Sequence, residues 1–299
     1  MSLGPVSAAC RKRLLATHGR QADPWLDRVP KLLDQAAERW KLKLSGYHDA
    51  GHASVLAVAT SIERGTVVLK AWFDRERYVN ETAALRCWEP VNGRVIRTQD
   101  DELAVACLDV VGGVVAGRSR PPDDERRVAA ALQMLHGHDG SGHCFPLLER
   151  HLAGRVEPRI RNRARRFAGK IPVECVGLGF DALRRRDRHG APVLLHADLY
   201  KENVPFGLDG KPVFLDPLPM RGNAAFDWAF FVIYHDLATD PVARLHLAAE
   251  ASNHSVAALM PWCLMLCLDG LLYYHEVVDG REPRMAEIMA TLATEAGVS

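Results

Sequence analysis

Apolar and polar positions alternate differently in the two parts of the chain. Up to about residue 110, short apolar runs rich in β-branched residues are bounded by Gly, Asp and Pro, which is typical of strands. Beyond residue 123, apolar residues recur at helical spacing. Strands are predicted within residues 45–56 (two strands and a turn), 66–70 and 103–108; helices are predicted within 1–40, 78–88, 126–135, 159–168 and 250–272. Strands first and helices later predict an α+β fold with a β-rich first part and a helical second part.

Two of these helices carry specific expectations. In the first, Leu26, Val29, Leu32, Leu33 and Ala36 recur at helical spacing, which predicts an apolar helix face. The last contains Pro261, which lacks the N–H that a helix interior needs. A break or kink is therefore predicted near Pro261.

The most informative polar pattern is His196-x-Asp198-x-x-x-x-Asn203, followed by Asp216. It places a carboxylate that can accept a proton from an attacking hydroxyl near a carboxamide that can hold Mg²⁺. Asp216 supplies a second hard oxygen ligand. Surface loops are rich in Asp and Asn for reasons of turn geometry, so the isolated motif is equally compatible with a structural loop.

The surroundings of this motif favour a phosphoryl-transfer site. An apolar strand is predicted at 192–195, directly before the loop, and a turn at 207–210 leads into a strand predicted at 213–215. Upstream, Lys70 ends a β-branched strand, from which it could reach the α- and β-phosphates of a nucleotide. With this order of groups, Asp198 is the expected catalytic base, and Asn203 and Asp216 are the expected metal ligands.

Lys70 needs a carboxylate that holds it in place. Glu81, inside the helix predicted at 78–88, is the preferred partner, and Glu76 is the alternative. Before Lys70, a Gly-containing turn could fold over phosphates and present backbone N–H groups, with Gly51 and Ser54 as candidate contacts. This turn is not followed by Gly-Lys-Ser/Thr, and an ordinary hairpin is the other interpretation.

With these motifs the chain resembles the aminoglycoside phosphotransferase family, in particular the streptomycin 6-kinase and hydroxyurea phosphotransferase group. The resemblance runs from about Trp25 to Gly280, and the matching segments are 25–30, 38–40, 51–55, 69–70, 81–88, 195–204 and 215–227. It implies a two-lobed, protein-kinase-like fold, with a β-rich N-lobe at 1–110 and a mainly helical C-lobe at 111–299. It also implies ATP or GTP with Mg²⁺, and transfer of the γ-phosphate to a hydroxyl of a small molecule.

Further roles follow from the resemblance. The strand at 103–108 is expected to lead into a hinge made flexible by residues 111–113, with the backbone of Ala106 and Leu108 bonding the edge of the nucleotide base. Asp227 is expected to brace the catalytic loop by accepting backbone N–H bonds.

Four positions depart from the pattern of the resembling proteins. His52 stands where an acidic residue is usual, and Asn223 and Ala224 stand where Asp and Pro are usual. Ala197 stands where Trp or Gly is common. None of these removes a group that phosphoryl transfer needs, but they leave the identity of the acceptor open.

Composition limits the remaining classes of function. The chain has 299 residues, 48% of them hydrophobic and 25% charged, with a net charge of +1. This size allows a large core, and the near-neutral balance gives no electrostatic reason to expect nucleic acid or membrane partners. The seven cysteines are scattered, no signal peptide is evident, and no segment approaches the length of a membrane span. A cytoplasmic protein is expected.

Two clusters have simpler interpretations. The arginine-rich stretches at 155–166 and 184–188 could bind anions, although such runs are more often solvated helix faces. His136, His138, His143 and Cys144 do not have the spacing of a common zinc site, and a loop that ends a helix is the favoured interpretation.

A cationic acceptor would need carboxylates. Glu202 lies inside the catalytic loop, and Asp269 and Glu276 are seven residues apart on one predicted helical face; Asp236 and Asp279 are weaker candidates. The predicted function is phosphorylation of an antibiotic, such as an aminoglycoside or a related natural product. The alternatives are a metabolic kinase for a sugar, choline-like or amino-alcohol acceptor, and a pseudokinase. A protein kinase is disfavoured because no Ala-Pro-Glu segment follows Asp216.

Overall fold

The computed structural model describes residues 3–49, 53–61, 65–111, 120–138 and 140–297. The chain forms two compact units. Unit 1 comprises Met1–Arg120 and Pro205–Val213, and unit 2 comprises Pro121–Val204 and Phe214–Ser299. The division at residues 110 and 111 drawn from the sequence stays a prediction.

Unit 1 contains a five-stranded antiparallel sheet in the order β1-β2-β3-β5-β4. Its strands are β1 (Lys43–His48), β2 (Ser54–Ser61), β3 (Gly65–Trp72), β4 (Ile96–Asp100) and β5 (Val105–Asp109). The strands predicted at 45–56, 66–70 and 103–108 are confirmed, whereas β4 was not predicted. Its sequence, Ile-Arg-Thr-Gln-Asp, has one apolar residue and therefore lacks an alternating pattern.

The helices of unit 1 are α1 (Ala8–His18), α2 (Asp23–Arg39), α3 (Arg75–Cys87) and the one-turn α4 (Glu89–Asn92). Four of the five apolar residues predicted on one face of α2, Leu26, Val29, Leu33 and Ala36, are each 0% exposed and belong to one core cluster with residues of β2, β3 and β5. The fifth, Leu32, is only partly buried. α3 begins after Asp74, whose side chain accepts the N–H of Arg77 at 3.1 Å and so caps the helix.

Unit 2 is mainly helical. It contains α5 (Asp124–His136), α6 (Leu148–His151), α7 (Glu157–Arg166), α8 (Val173–Arg185), α9 (Ala225–Tyr234), α10 (Pro241–Ser252), α11 (Val256–Val277) and α12 (Glu282–Glu295). A π turn at Leu152–Val156 joins α6 to α7. The predicted α+β organisation, with a β-rich first part and a helical second part, is confirmed.

A two-stranded ribbon in unit 2 differs from the sequence expectation. β6 (Pro192–Leu195) forms as predicted, but its antiparallel partner is β7 (Met220–Asn223). The prediction of a strand at 213–215 is wrong. β7 contains Gly222 because a Cβ there would lie 2.4 Å from the Cβ of Leu148, so only glycine lets the ribbon pack on α6.

The longest helix, α11, corrects two expectations. It runs unbroken through Pro261, and the break lies before it, where Asn253 adopts left-handed geometry (φ 62°) and Ser255 caps α11. By length and apolar composition α11 could cross a membrane, contrary to the expectation from the sequence. However, 67% of its most apolar window is buried inside unit 2, which is what a core helix shows.

Candidate active site

In unit 1, Lys70 and Glu81 form a buried ion pair. The Nζ atom of Lys70 lies 2.5 Å from Oε1 of Glu81, and the two residues are 4% and 0% exposed. Glu76 is exposed on the first turn of α3, so Glu81 is the carboxylate that contacts Lys70. A buried charge is costly unless it is paired, and the contact with Glu81 both provides the partner and fixes the direction of the Lys70 side chain.

Trp72 also holds Glu81, a contact that was not predicted. Its indole N–H donates to Oε2 of Glu81 at 2.8 Å, and Nζ of Lys70 lies 4.8 Å from the indole centroid. Lys70 and Trp72 are two residues apart on β3 and therefore project from the same face of the sheet. The spacing Lys-x-Trp in the sequence could therefore have indicated that Trp72 lies beside Lys70.

The other candidate contacts in unit 1 have different surroundings. Ser54 begins β2 opposite Trp72 and is 3% exposed, whereas Gly51 lies outside the described residues, as do His52 and residues 112–113. β5 is an inner strand: Ala106 pairs with Lys70 and Gln99, and Leu108 pairs with Val68 and Ile96. Because the ladders on both sides use the backbone of β5, hydrogen bonds from Ala106 and Leu108 to a base would compete with the sheet.

In unit 2, the imidazole of His196 ties the catalytic loop to the segment that carries Asp216. Its Nε2 lies 3.0 Å from the carbonyl oxygen of Leu215, and its Nδ1 accepts the N–H of Asp198 at 3.3 Å. This pattern fits a neutral ring that donates from Nε2. Burial lowers the pKa of His196 to about 4, so the ring stays neutral near pH 7.

The brace expected at Asp227 is present. Its carboxylate, buried at the start of α9, accepts the N–H of His196 at 2.7 Å and the N–H of Ala197 at 2.8 Å. Ala197 has a φ of 57°, and Asp216 has a φ of 55°. Left-handed geometry costs a non-glycine residue roughly 1–2 kcal/mol, so both conformations depend on the surrounding hydrogen bonds.

The side chain of Asn203 contacts Asp198. Its Nδ2 donates to the carbonyl oxygen of Asp198 at 2.8 Å and to Oδ2 of the same residue at 3.1 Å. The backbone carbonyl of Asn203 accepts the N–H of Leu215 at 2.8 Å, which links the loop to the residue before Asp216. The structure thus brings the expected base and one expected metal ligand into direct contact.

These residues fit Mg²⁺. Because Nδ2 of Asn203 is engaged by Asp198, its Oδ1 is the amide atom left for a cation, and Asp216 adds a carboxylate. Within the described residues, no group of three or more His, Cys, Asp or Glu side chains could hold a metal. Mg²⁺ is usually held by one or two protein oxygens together with substrate phosphates and water, so a two-residue site suits it.

The expected acceptor carboxylates are ion-paired with basic residues. Asp269 accepts two bonds from Arg159, at 3.1 Å from Nε and 2.5 Å from Nη2. Glu276 lies 2.7 Å from Arg163 and 2.8 Å from Arg166. The weaker candidates are paired too, Asp236 with Lys201 and Asp279 with Arg281, both at 2.7 Å.

Glu202 differs from these four acids. It is exposed in the short 3₁₀ turn Lys201–Asn203 and has no ion pair with any residue that the structure describes. The ion pairs between the arginines of α7 and the acids of α11 were not predicted, although their spacing in the sequence could have indicated them. Arg159, Arg163 and Arg166 follow helical spacing on α7, as Asp269 and Glu276 do on α11.

An aromatic group lies beside the catalytic loop. The ring of Tyr200 is 5.1 Å from that of Phe230 and 5.3 Å from that of Tyr234. Burial raises the pKa of Tyr200, and the nearby charges of Asp198 and Asp269 raise it further. Tyr200 therefore stays protonated in the range where kinases work, beside the loop that carries Asp198.

Asn223, one of the departures from the resembling proteins, has defined partners. Its Oδ1 accepts the N–H of Ala225 at 2.9 Å, at the start of α9. Its Nδ2 lies 3.2 Å from the carbonyl oxygen of Asp187 and 3.3 Å from Oδ2 of the same residue. Asn223 can donate to Asp187, which an aspartate could not do.

The comparisons agree with this architecture. The chain is 26% identical over 222 residues to the streptomycin 6-kinase of Streptomyces griseus, covering 70% of this chain and 68% of that protein. It is 24% identical over 291 residues to the enzyme of the same name from Streptomyces glaucescens, covering 88% and 87%. The fructosamine kinase family matches residues 161–242.

A macrolide 2'-phosphotransferase of Brachybacterium faecium has a similar structure, with a TM-score of 0.59 at 19% identity, covering 87% of this chain and 97% of that one. At this identity the likeness concerns the fold, and it confirms the kinase-like arrangement expected from the sequence. The resemblance to the streptomycin 6-kinase group is likewise confirmed, and the chain is a kinase-like phosphotransferase similar to these enzymes.

Proposed function

We propose that this phosphotransferase is a Mg²⁺-dependent kinase that transfers the γ-phosphate of ATP or GTP to a hydroxyl of an antibiotic, such as an aminoglycoside or a related natural product. The observation that carries the proposal is the contact between Asn203 and Asp198, in a loop that Asp227 and His196 hold in place. The similarity to the streptomycin 6-kinases supports the choice of acceptor class.

Each group has one role in this proposal. The carboxylate of Asp198 orients the acceptor hydroxyl and takes its proton as the oxygen attacks the γ-phosphorus. The bond from the γ-phosphorus to the β,γ-bridging oxygen breaks in the same step, and the nucleoside diphosphate leaves with that oxygen. Lys70, held by Glu81, neutralises nucleotide phosphates. Asn203 and Asp216 would hold Mg²⁺, which supplies charge neutralisation on the phosphate oxygens. Phosphoryl transfer needs mainly positioning and charge stabilisation, and these residues provide both.

The carboxylates expected to bind the acceptor are ion-paired with arginines, and these ion pairs favour a second candidate function. A polycation that approaches Asp269 would have to displace the two bonds from Arg159, whose side chain is 42% exposed, and an exposed ion pair contributes about 0.2–1 kcal/mol. Glu202 is the acid that could bind an acceptor amine without such competition. These pairs favour an acceptor with few positive charges, and the fructosamine kinase match at 161–242 fits a metabolic kinase of this kind.

One assay separates these functions. Nucleotide consumption and the mass of the acceptor are measured for ATP and GTP with a panel of streptomycin, other aminoglycosides, a macrolide, choline, ethanolamine and sugars. An antibiotic that gains 80 Da in an Mg²⁺-dependent reaction supports the leading proposal, and phosphorylation restricted to metabolic acceptors supports the second. No acceptor-dependent consumption across the panel contradicts both.

The role of Asp198 is tested in the same assay. Asp198→Asn keeps the shape of the side chain but cannot take the proton, so kcat should fall by on the order of 10²-fold or more. Asp209→Asn, at an exposed acid of the turn at 207–210, is the matched control and should retain activity. Turnover near that of the wild type in Asp198→Asn would refute the assignment.

A further inference from the structure

His136 contacts the residue that braces the catalytic loop. It is the last residue of α5, its side chain is 5% exposed, and its Nε2 lies 3.0 Å from Oδ2 of Asp227. Its ring packs edge-on against Trp228 with the centroids 5.9 Å apart. His136 is therefore held in one orientation, in which a ring nitrogen faces the carboxylate.

The hydrogen-bond pattern identifies the direction of this bond. Nδ1 of His136 is buried and has no hydrogen-bond partner among the described residues. The carboxylate of Asp227 acts as an acceptor, since it already accepts the backbone N–H groups of His196 and Ala197. Nε2 of His136 is therefore the atom that carries the hydrogen, and its N–H donates to Asp227.

Asp227 consequently receives three donors from two directions. Two are the backbone N–H groups of His196 and Ala197, and the third comes from α5. A carboxylate can rotate about its Cβ–Cγ bond, and the third donor fixes this rotation so that Oδ1 faces Ala197 and Oδ2 faces His196. Ala197 holds left-handed geometry immediately before Asp198. The orientation of Asp227 therefore sets the backbone position from which the side chain of Asp198 extends.

We propose that His136 is a positioning residue for phosphoryl transfer, which acts on Asp198 through Asp227. This inference rests on the proposed kinase function, but its structural part can be measured without turnover. The sequence gives no local signal for this contact, because Asp227 lies 91 residues away from His136 in the chain.

Two substitutions separate the donor from the ring. His136→Phe keeps an aromatic ring against Trp228 but removes the donor, and His136→Gln keeps a donor of similar reach. His136→Phe should lower kcat by about 10-fold while the nucleotide KM changes by less than twofold, and His136→Gln should recover kcat to within about threefold of the wild type. Gln133→Leu, at an exposed position of α5, is the control and should leave both constants unchanged.

A double-mutant cycle tests the route through Asp227. In an Asp227→Asn background, His136→Phe should change kcat by less than twofold, because the carboxylate on which the donor acts is gone. Equal effects of His136→Phe in both backgrounds, or a loss that His136→Gln does not recover, would overturn the inference. The comparison of Phe with Gln remains decisive if Asp227→Asn does not fold.

Hydrogen exchange gives a readout that does not require an acceptor. His136→Phe should speed exchange in peptides containing the amides of His196 and Ala197 by at least threefold relative to His136→Gln, and it should leave β3 unchanged. Unchanged protection at His196 and Ala197 would overturn the positioning role whatever the activity. Faster exchange in an enzyme without acceptor-dependent turnover would support the structural coupling and assign the failure to the proposed function.

Discussion

Asn223→Asp, which introduces the residue that is usual in the resembling proteins, should destabilise this protein. The amide of Asn223 donates toward Asp187, and its Nδ2 lies 3.3 Å from the carboxylate oxygen Oδ2. An aspartate would place a second carboxylate there. It would retain the oxygen that accepts the N–H of Ala225, so the start of α9 would keep its cap.

The expected magnitude follows from the distance. Two unit charges 3.3 Å apart repel by about 1 kcal/mol in water and about 5 kcal/mol at an effective dielectric constant of 20. Because Asp187 is exposed and can move, the lower part of this range applies. The carboxylate introduced at position 223 also lies near the N-terminus of α9, where the helix dipole stabilises a negative charge by about 0.3–1 kcal/mol. We expect a net loss of about 1–3 kcal/mol in the free energy of unfolding.

Urea unfolding measures this loss, provided that the m value stays constant between variants. Asp187→Asn is the matched second substitution, because it removes the opposing charge and supplies an amide donor to the carboxylate introduced at position 223. Alone it should change stability by less than about 1 kcal/mol, and combined with Asn223→Asp it should restore at least about 1 kcal/mol. An Asn223→Asp variant as stable as the wild type, or one that Asp187→Asn does not restore, would refute the reasoning.

Three further predictions concern the candidate site. Glu81→Gln removes the charge that holds Lys70, so the nucleotide KM should rise by about 10-fold or more, and an unchanged KM in steady-state kinetics would count against the pair. Asp216→Ala should abolish Mg²⁺-dependent turnover and Asn203→Ala should only weaken it, which Mg²⁺ titrations measure; equal activity with and without EDTA would contradict both. Because the pKa of His196 is about 4 in the folded chain against about 6.5 when unfolded, the unfolded state binds the proton between these values and stability falls as pH falls. Between pH 7 and pH 5 this group should remove about 2 kcal/mol, a slope that His196→Gln should lack in urea unfolding.

Structural features that are set by residues close together in the chain could be predicted from the sequence alone. The buried face of α2 follows from the spacing of Leu26 and Leu33, and the contact between Asp198 and Asn203 follows from their separation of five residues in one loop. The end of α10 also had a local signal, since Asn253 and Ser255 are typical of a helix end and a helix cap. The predicted kink at Pro261 does not form, because burial of α11 within unit 2 compensates for one missing hydrogen bond.

Contacts between segments that are far apart in the chain could not be predicted in this way. β6 pairs with β7, whose sequence Met-Arg-Gly-Asn has no alternating pattern, so only the tertiary structure reveals the ribbon. The acidic spacing of Asp269 and Glu276 was visible, but the sequence could not show that α7 turns its arginines toward them. For this reason the acceptor is the part of the function that the motifs predict least.

The π turn at Leu152–Val156 sets which face α7 turns toward α11. A π turn accommodates one residue more than the α-helix around it, and each residue rotates the following helical face by about 100°. The pairing of Arg159 and Arg163 with α11 therefore depends on the number of residues in this turn as well as on the arginines themselves. Deletion of a single residue would rotate α7 away from Asp269 and Glu276 and leave both carboxylates for a cationic acceptor. A change in chain length by one residue could thus redirect this scaffold from one charge class of acceptor to another while every charged side chain is conserved.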